Sequence, residues 1–135
     1  MKRILLVEDD YDVARTILLG IELLEIRELE QEVQYEGVSA LKSIQSAPAP
    51  DLLILDMHLP NIAGQDIYEI VRKQMPACKV IIITADVRLV KTIRDRQGDW
   101  KDLAAPDALF AKPFSLTEFL GEVALLLGLP DPKLA

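Results

Sequence analysis

Three carboxylates of this sequence stand at the ends of apolar runs. Glu8 and Asp9 follow the run 4–7, and Asp56 follows the run 52–55. If these side chains meet, they repel one another by roughly 4 kcal/mol per close pair at an effective dielectric constant near 20, so they either take up protons or bind a cation. Oxygen ligands without a nearby set of histidines or cysteines suit a hard divalent cation, and Mg²⁺ fits best.

A hydroxyl and an ammonium group occupy two further positions of the same kind. Thr84 follows the apolar run 80–83, and Lys112 follows the run 109–111. Mg²⁺ commonly completes its coordination shell with phosphate oxygens, and Thr84 and Lys112 could grip such an anion beside the metal. The residue types therefore predict a site for a phosphoryl group.

The spacing of apolar residues predicts five strands that alternate with five helices. The strands are predicted around 4–7, 33–35, 52–55, 80–83 and 109–111, and the helices around 13–24, 38–44, 67–71, 89–93 and 116–127. Because each crossover between parallel strands needs a helix, this alternation predicts a doubly wound α/β domain with a parallel sheet covered on both faces. Such sheets form their ligand crevice at the carboxyl ends of the strands, where the five candidate residues stand.

Composition narrows the class of protein further. The chain has 135 residues, of which 50% are hydrophobic, and a formal net charge of −7, which together indicate one acidic domain with a single core. Direct nucleic-acid binding needs a basic stripe, so it is not expected. Cys78 is the only cysteine, and neither a leader nor a membrane-spanning run is apparent. We therefore expect a cytoplasmic protein without membrane contact.

Four segments of the sequence resemble the receiver domain of two-component response regulators, of the single-domain type related to the chemotaxis regulator. They are LLVEDD, DLLILDMHLPNIAGQD, VIIITAD and FAKPF, which occur in the family's order and at compatible spacings. The resemblance implies a flavodoxin-like sheet of strand order 2-1-3-4-5 within a receiver domain at 1–129, with 130–135 as a short tail. It also implies a phosphoprotein that catalyses only its own phosphorylation and dephosphorylation and is otherwise not an enzyme.

The resemblance also implies a role for each candidate residue. Asp56 would accept a phosphoryl group from the phosphohistidine of a sensor histidine kinase or phosphotransfer protein. Mg²⁺ would be held by Glu8, Asp9, Asp56 and the backbone carbonyl of His58. Thr84 would follow the phosphoryl group as the conformational switch. Lys112 would pair with the phosphoryl oxygens, and its bond to Pro113 would be cis.

The sequence departs from the family on the side used for output. Leu109 stands three residues before the lysine, where receivers usually have a tyrosine or phenylalanine, and Phe110 comes one place later. The connection from Thr84 to Lys112 is also longer than usual around 97–107. We therefore expect switching through movement of this connection rather than through an aromatic ring that swings inward.

One apolar residue of the last predicted helix lies outside its buried face. At about 100° per residue Leu125 points nearly opposite Leu116, beside Glu118 and Glu122. The preceding helix carries three basic residues at helical spacing: Arg88, Lys91 and Arg94. Receivers similar to this one often dimerise through the fourth helix, fifth strand and fifth helix, so a homodimer or partner contact through this face is expected.

Several of these residues also have simpler interpretations. Asp9 or Asp10 could cap the first helix, and Asp86 reads first as a helix N-cap, although the resemblance places it with His58 among residues that tune phosphoryl lifetime. Gly64 is expected to serve a turn that needs positive φ.

Two other functions compete with the phosphoacceptor hypothesis. A haloacid dehalogenase-type phosphohydrolase also uses an aspartyl nucleophile, but on its first strand with a second aspartate two residues later, whereas here the first strand offers adjacent Glu8 and Asp9. A pseudo-receiver would be a protein-interaction module that takes no phosphoryl group. Since no DNA-binding segment is apparent after Leu129, the sequence predicts either a stand-alone receiver or a piece of a longer regulator.

Overall fold

The computed structural model describes residues 1–46 and 48–129. The strands are β1 Lys2–Val7, β2 Leu29–Gln34, β3 Leu52–Asp56, β4 Lys79–Thr84 and β5 Ala108–Ala111. The helices are α1 Tyr11–Glu22, α2 Gly37–Ser46, α3 Gly64–Gln74, α4 Val87–Arg94 and α5 Leu116–Leu126, with a short 3₁₀ helix, η1, at Gly98–Lys101. The predicted tail at 130–135 lies outside the described residues.

The five strands form one parallel sheet in the order β2-β1-β3-β4-β5, which confirms the predicted fold class and strand order. Alternate residues of the central strand β3 serve two cores. Leu53 and Leu55 pack against α2, α3 and α4, whereas Leu52 and Ile54 pack against α1 and α5. None of the described helices combines the length and apolar character needed to cross a membrane.

The second strand begins earlier than the sequence predicts. The sequence predicts a strand around 33–35, but β2 starts at Leu29, and Glu30 and Glu32 lie within it. β2 is an edge strand that pairs only with β1 within the described sheet, and its residues remain partly exposed. Charged side chains are tolerated there, so pairing with β1, where Lys2 faces Leu29, sets the start of the strand.

Three helices begin at side-chain caps. Asp10 accepts hydrogen bonds from two backbone N–H groups at the start of α1, and Asp86 does the same at the start of α4. Ser115 accepts one from the backbone N–H of Glu118 at the start of α5. These caps fix where each helix leaves the carboxyl edge of the sheet.

The long connection between α4 and β5 is anchored on α3. Within it, η1 places Trp100 in the core, where the residue is 4% exposed and its ring centroid lies 5.2 Å from that of Tyr68. The Tyr68 hydroxyl donates a hydrogen bond to the carbonyl oxygen of Ala104. The connection at 97–107 is therefore tied to the core at two points.

Arg72 of α3 extends this anchor to the start of β5. Its guanidinium group donates to the Tyr68 hydroxyl at 2.9 Å and to the carbonyl oxygen of Ala105 at 2.9 Å. It also lies 3.2 Å from the carboxylate of Asp107, which accepts a further hydrogen bond from the N–H of Val80. One arginine thus ties α3 to the residues that precede β5.

Replacing this arginine should destabilise the domain. We expect Arg72→Met to lower the free energy of unfolding by about 2 kcal/mol, because the Tyr68 hydroxyl, the carbonyl oxygen of Ala105 and the carboxylate of Asp107 all lose a charged donor. Arg88→Met, which removes an exposed arginine of α4, should change it by less than about 0.5 kcal/mol. Urea unfolding of both variants provides the measurement, and equal losses would show that the anchor contributes nothing specific.

Candidate functional site

The ends of β1 and β3 bring three carboxylates together. Val7 of β1 pairs with Leu55 of β3, so the residues that follow in each strand meet at the same edge of the sheet. One carboxylate oxygen from each of Glu8, Asp9 and Asp56 lies within 4.8 Å of the others. Glu8 and Asp56 are 0% and 2% exposed, whereas Asp9 faces solvent. The cluster is thus buried on one side and open on the other.

Lys112 reaches this cluster from the end of β5. Its Nζ atom donates a hydrogen bond to the Glu8 carboxylate and lies 3.4 Å from Oδ2 of Asp56. Its backbone N–H donates to the carbonyl oxygen of Thr84 at 2.8 Å, and its peptide bond to Pro113 is cis, as the resemblance implies. The lysine therefore supplies one positive charge to two buried carboxylates.

The cluster binds a proton more tightly than isolated carboxylates do. Burial raises the pKa of Glu8 to about 8, and the hydrogen bond with Asp56 and the negative charge of Asp56 act in the same direction, against Lys112. Burial also raises the pKa of Asp56, although the hydrogen bond from Glu8 and the charge of Lys112 oppose this. The pair therefore favours a bound proton or an added cation over two ionised carboxylates.

Thr84 ends the strand next to Asp56. The residue is 0% exposed, and Asp56 pairs with Ile83 directly before it. The Thr84 hydroxyl oxygen accepts a hydrogen bond from the backbone N–H of Asp86 at 3.1 Å. Because Asp86 caps α4, this hydroxyl is linked to the start of that helix.

His58 borders the cluster through its backbone and side chain. Its N–H lies 3.3 Å from Oδ1 of Asp56 and donates to it. Its ring is 61% exposed, and Nε2 lies 3.7 Å from the carboxylate of Asp86, so the two residues face each other across the rim of the site. The predicted role of its carbonyl as a metal ligand stays a prediction.

Two glycines near the site are required for close approach rather than for their φ angles. The expectation that Gly64 needs positive φ is wrong, because its φ is not in the positive range. A Cβ atom at Gly64 would instead lie 2.5 Å from the carbonyl oxygen of Asp56. Sequence reasoning did not single out Gly37, whose Cβ would lie 2.7 Å from that of Ile62. The only sequence signal was a glycine at the start of a predicted helix.

The two residues before the site on β5 face opposite sides of the sheet. Leu109 packs with the core formed by α2, α3 and α4. Phe110 packs with the other core, where its ring centroid lies 5.6 Å from that of Phe114 and 5.3 Å from that of Phe119. An aromatic ring therefore occupies the neighbouring position but the wrong face for the usual switch.

The sequence matches a known family and proteins named for it. Residues 4–123 match the model of the response regulator receiver domain. The response regulator ArlR of Staphylococcus saprophyticus is 33% identical over 127 residues, which cover 94% of this chain and 53% of that protein. The response regulator MprA of Mycobacterium avium is 28% identical over 131 residues, which cover 97% and 53%. The chain thus spans about half the length of the curated relatives it matches.

Solved structures with the same fold include named response regulators. The receiver domain protein (CheY-like) from Methanospirillum hungatei JF-1 superposes with a TM-score of 0.76 at 23% identity over 95% of this chain and 94% of that one, which shows the fold alone. TrrA from Thermotoga maritima, solved in complex with Mg(2+)-BeF, has a TM-score of 0.71 at 32% identity over 93% and 99%. With strand order, family model and relatives in agreement, the chain belongs to the receiver domains of two-component response regulators.

Proposed function

We propose that this receiver domain takes a phosphoryl group onto Asp56 from the phosphohistidine of a sensor histidine kinase or phosphotransfer protein, in a cytoplasmic phosphorelay. The observation that carries the proposal is the setting of Asp56. It is a buried carboxylate at a strand end, clustered with Glu8 and Asp9 and 3.4 Å from the ammonium group of Lys112. A nucleophile and the positive charge that its product needs therefore stand side by side.

The proposed step is a displacement at phosphorus. A carboxylate oxygen of Asp56 bonds to phosphorus while the bond from phosphorus to the partner's imidazole nitrogen breaks, and the ring leaves with the bonding electrons. Lys112 would move from the carboxylates to the phosphoryl oxygens. Because the phosphoryl group stays on Asp56 until water removes it, the domain modifies itself and releases no separate product of a substrate.

The donor set fits Mg²⁺ in number and chemistry. Glu8, Asp9 and Asp56 offer hard oxygen ligands, and the His58 carbonyl would add a fourth. Bound Mg²⁺ would neutralise charge on the phosphoryl oxygens. The raised pKa of Glu8 supports this assignment, because a cluster that holds a proton more tightly than isolated carboxylates do can accept a cation in its place. TrrA, a neighbour at 32% identity, was solved with Mg(2+)-BeF.

Incubation with acetyl phosphate tests the proposal against its alternatives. We expect one phosphoryl group per chain, detected by intact mass, with Mg²⁺ and none with a chelator. A pseudo-receiver would stay unlabelled in both conditions. A phosphohydrolase would consume many equivalents of acetyl phosphate without retaining a label, although membership of the receiver family argues against it.

The proposed output starts at Thr84. When its hydroxyl turns to a phosphoryl oxygen, the N–H of Asp86 loses its acceptor, and the start of α4 is free to shift. The connection at 97–107 follows α4, and its movement with that helix would release its hydrogen bonds to Tyr68 and Arg72. Leu109 cannot provide the aromatic swing, so we assign the response to this connection.

We further propose that the face formed by α4, β5 and α5 makes a homodimer in the phosphorylated state. Leu125 is 67% exposed beside a groove of about 420 Å³ between β5 and α5. The acidic groups Glu118 and Glu122 border that groove. The basic residues of α4 are exposed and complement them in charge: Arg88, Lys91 and Arg94. A second copy related by twofold symmetry would pair each acidic group with a basic one.

A charge placed in this groove should prevent association. We expect the parent protein to shift toward a dimer in sedimentation when Mg²⁺ and beryllofluoride are added. Leu125→Glu should weaken the dimer at least about tenfold, because it buries a carboxylate beside two others. Leu19→Glu, which changes a leucine of α1 that is 48% exposed, is the matched control. A monomer in every sample would exclude the dimer, and a response that survives Thr84→Ala would exclude the proposed switch.

A further inference from the structure

The loop at 57–63 joins the phosphoacceptor strand to α3 and carries the His58 carbonyl. Its backbone is held at both ends, since Met57 donates to the carbonyl oxygen of Ile83 and Gly64 donates to that of Met57. In between, Asn61 adopts a φ of 74°, which reverses the chain. The course of this loop therefore decides where a ligand carbonyl can stand.

Two helices begin with a glycine whose backbone contacts this loop directly. The first residue of α3, Gly64, would place a Cβ 2.6 Å from the Cα of Met57. The first residue of α2, Gly37, would place a Cβ 2.7 Å from the Cβ of Ile62 and 2.8 Å from its carbonyl oxygen. Both glycines are buried. The loop is thus confined between two backbones that any side chain would push apart.

The glycine at the start of α2 is not needed for helix geometry. Its φ is not among the positive values of the described residues, and alanine is the better helix former. The N–H of Gly37 lies 3.4 Å from the carbonyl oxygen of Pro60, so helix and loop touch directly. The contact with the loop is what glycine provides at this position.

We propose that Gly37 is a positioning residue for the phosphoacceptor loop. By letting α2 press on Ile62, it fixes the course of the loop at a second point, beside the contact of Gly64 with Met57, and so fixes the His58 carbonyl relative to Asp56. The link to metal binding rests on the proposed function, whereas the confinement of the loop does not.

The test is Gly37→Ala, with two readouts that need no phosphorylation. We expect the backbone amide chemical shifts of the metal-free variant to change in the loop at 57–63 and at the start of α2. Calorimetric titration with Mg²⁺ should show a dissociation constant raised about tenfold, as for other groups that orient a metal ligand. Acetyl phosphate labelling should need more Mg²⁺ for half its maximal rate but reach the parental rate at saturation.

Two glycines of other helices provide matched controls. A Cβ at Gly121 of α5 would meet nothing within 4 Å, and one at Gly20 of α1 would meet only the ends of leucine side chains at 3.2 Å. Gly121→Ala and Gly20→Ala should leave Mg²⁺ affinity unchanged. If Gly37→Ala fails to fold, Ile62→Gly removes the contact from the other side, and we expect faster amide exchange in the loop and weaker Mg²⁺ binding.

Two results would overturn the proposal. Unchanged Mg²⁺ affinity in Gly37→Ala would mean that α2, and not the loop, shifts to make room for the added methyl group. Chemical-shift changes throughout the core of Gly37→Ala, together with an equal loss of Mg²⁺ affinity in Gly20→Ala, would mean that the substitutions destabilise the domain in general. If the parent neither binds Mg²⁺ nor becomes labelled, the proposed function fails, while loop shifts in Gly37→Ala would still establish the confinement.

Discussion

Asp56→Asn should abolish labelling by acetyl phosphate completely. An amide is neither an anion nor a useful nucleophile, and no neighbouring carboxylate has the setting of Asp56, since the pKa of Glu8 is raised to about 8 and Asp9 faces solvent. The variant should also be more stable than the parent without metal, because one of two buried carboxyl groups in contact is replaced by a neutral group. Intact mass and thermal unfolding measure the two effects.

A matched substitution at a nearby aspartate tests whether the loss of labelling is specific to Asp56. Asp10 lies two residues from Glu8, but its carboxylate only caps α1, a role in which asparagine serves equally well. Asp10→Asn should therefore keep both labelling and stability. Labelling that persists in Asp56→Asn would refute the assignment. Equal loss of labelling in Asp10→Asn would show that the loss comes from a disturbed fold at the site and not from removal of the nucleophile.

Lys112→Met should cause a large loss of stability in the metal-free protein. The methionine keeps an apolar stem but leaves Glu8 and Asp56 buried without their cation. We expect the free energy of unfolding to fall by about 3 kcal/mol at pH 8, as when one member of a buried ion pair is removed. Lys91→Met provides the control, because that lysine is 77% exposed and its ion pair among residues 1–46 and 48–129 is with Asp95 on the surface of α4.

The loss should depend on pH in a definite direction. The folded-state pKa of Glu8 is raised above its ordinary value of 4.5 to about 8, so its contribution to stability is complete below pH 4.5 and is lost as the pH rises through 8. Removing Lys112 raises that pKa further, so the variant should lose little at pH 5 and most above pH 8. Mg²⁺ should reduce the loss at high pH. An equal loss at both pH values would indicate packing of the lysine stem instead.

The alternation of strands and helices could be predicted because the apolar residues that each element buries recur at regular spacing along the chain. β3 and β4 are covered on both faces, and their unbroken apolar runs carry that information locally. β2 could not be delimited in the same way, since Leu29 is in a strand only because Lys2 lies beside it. An edge strand of charged residues has no local signature that separates it from a loop.

The sequence could predict which residues form the site but not which of them contact one another. A parallel sheet brings its strand ends to one edge, so the sequence could name Glu8, Asp9 and Asp56 together. It could not show that Lys112 contacts Glu8, because this depends on how far a side chain reaches across neighbouring strands. Nor could it give the reason for Gly64, since the atoms that exclude a side chain there belong to the packed fold.

The anchored connection also contains a fluorescent residue that can report its movement. Trp100 is the single tryptophan of the sequence and lies in η1. Its indole is buried beside the Tyr68 ring, so its emission should be blue-shifted and partly excited by energy transfer from that tyrosine. The intrinsic fluorescence of the protein thus reads the state of the α4–β5 connection, and stopped-flow mixing can time its movement without any added dye.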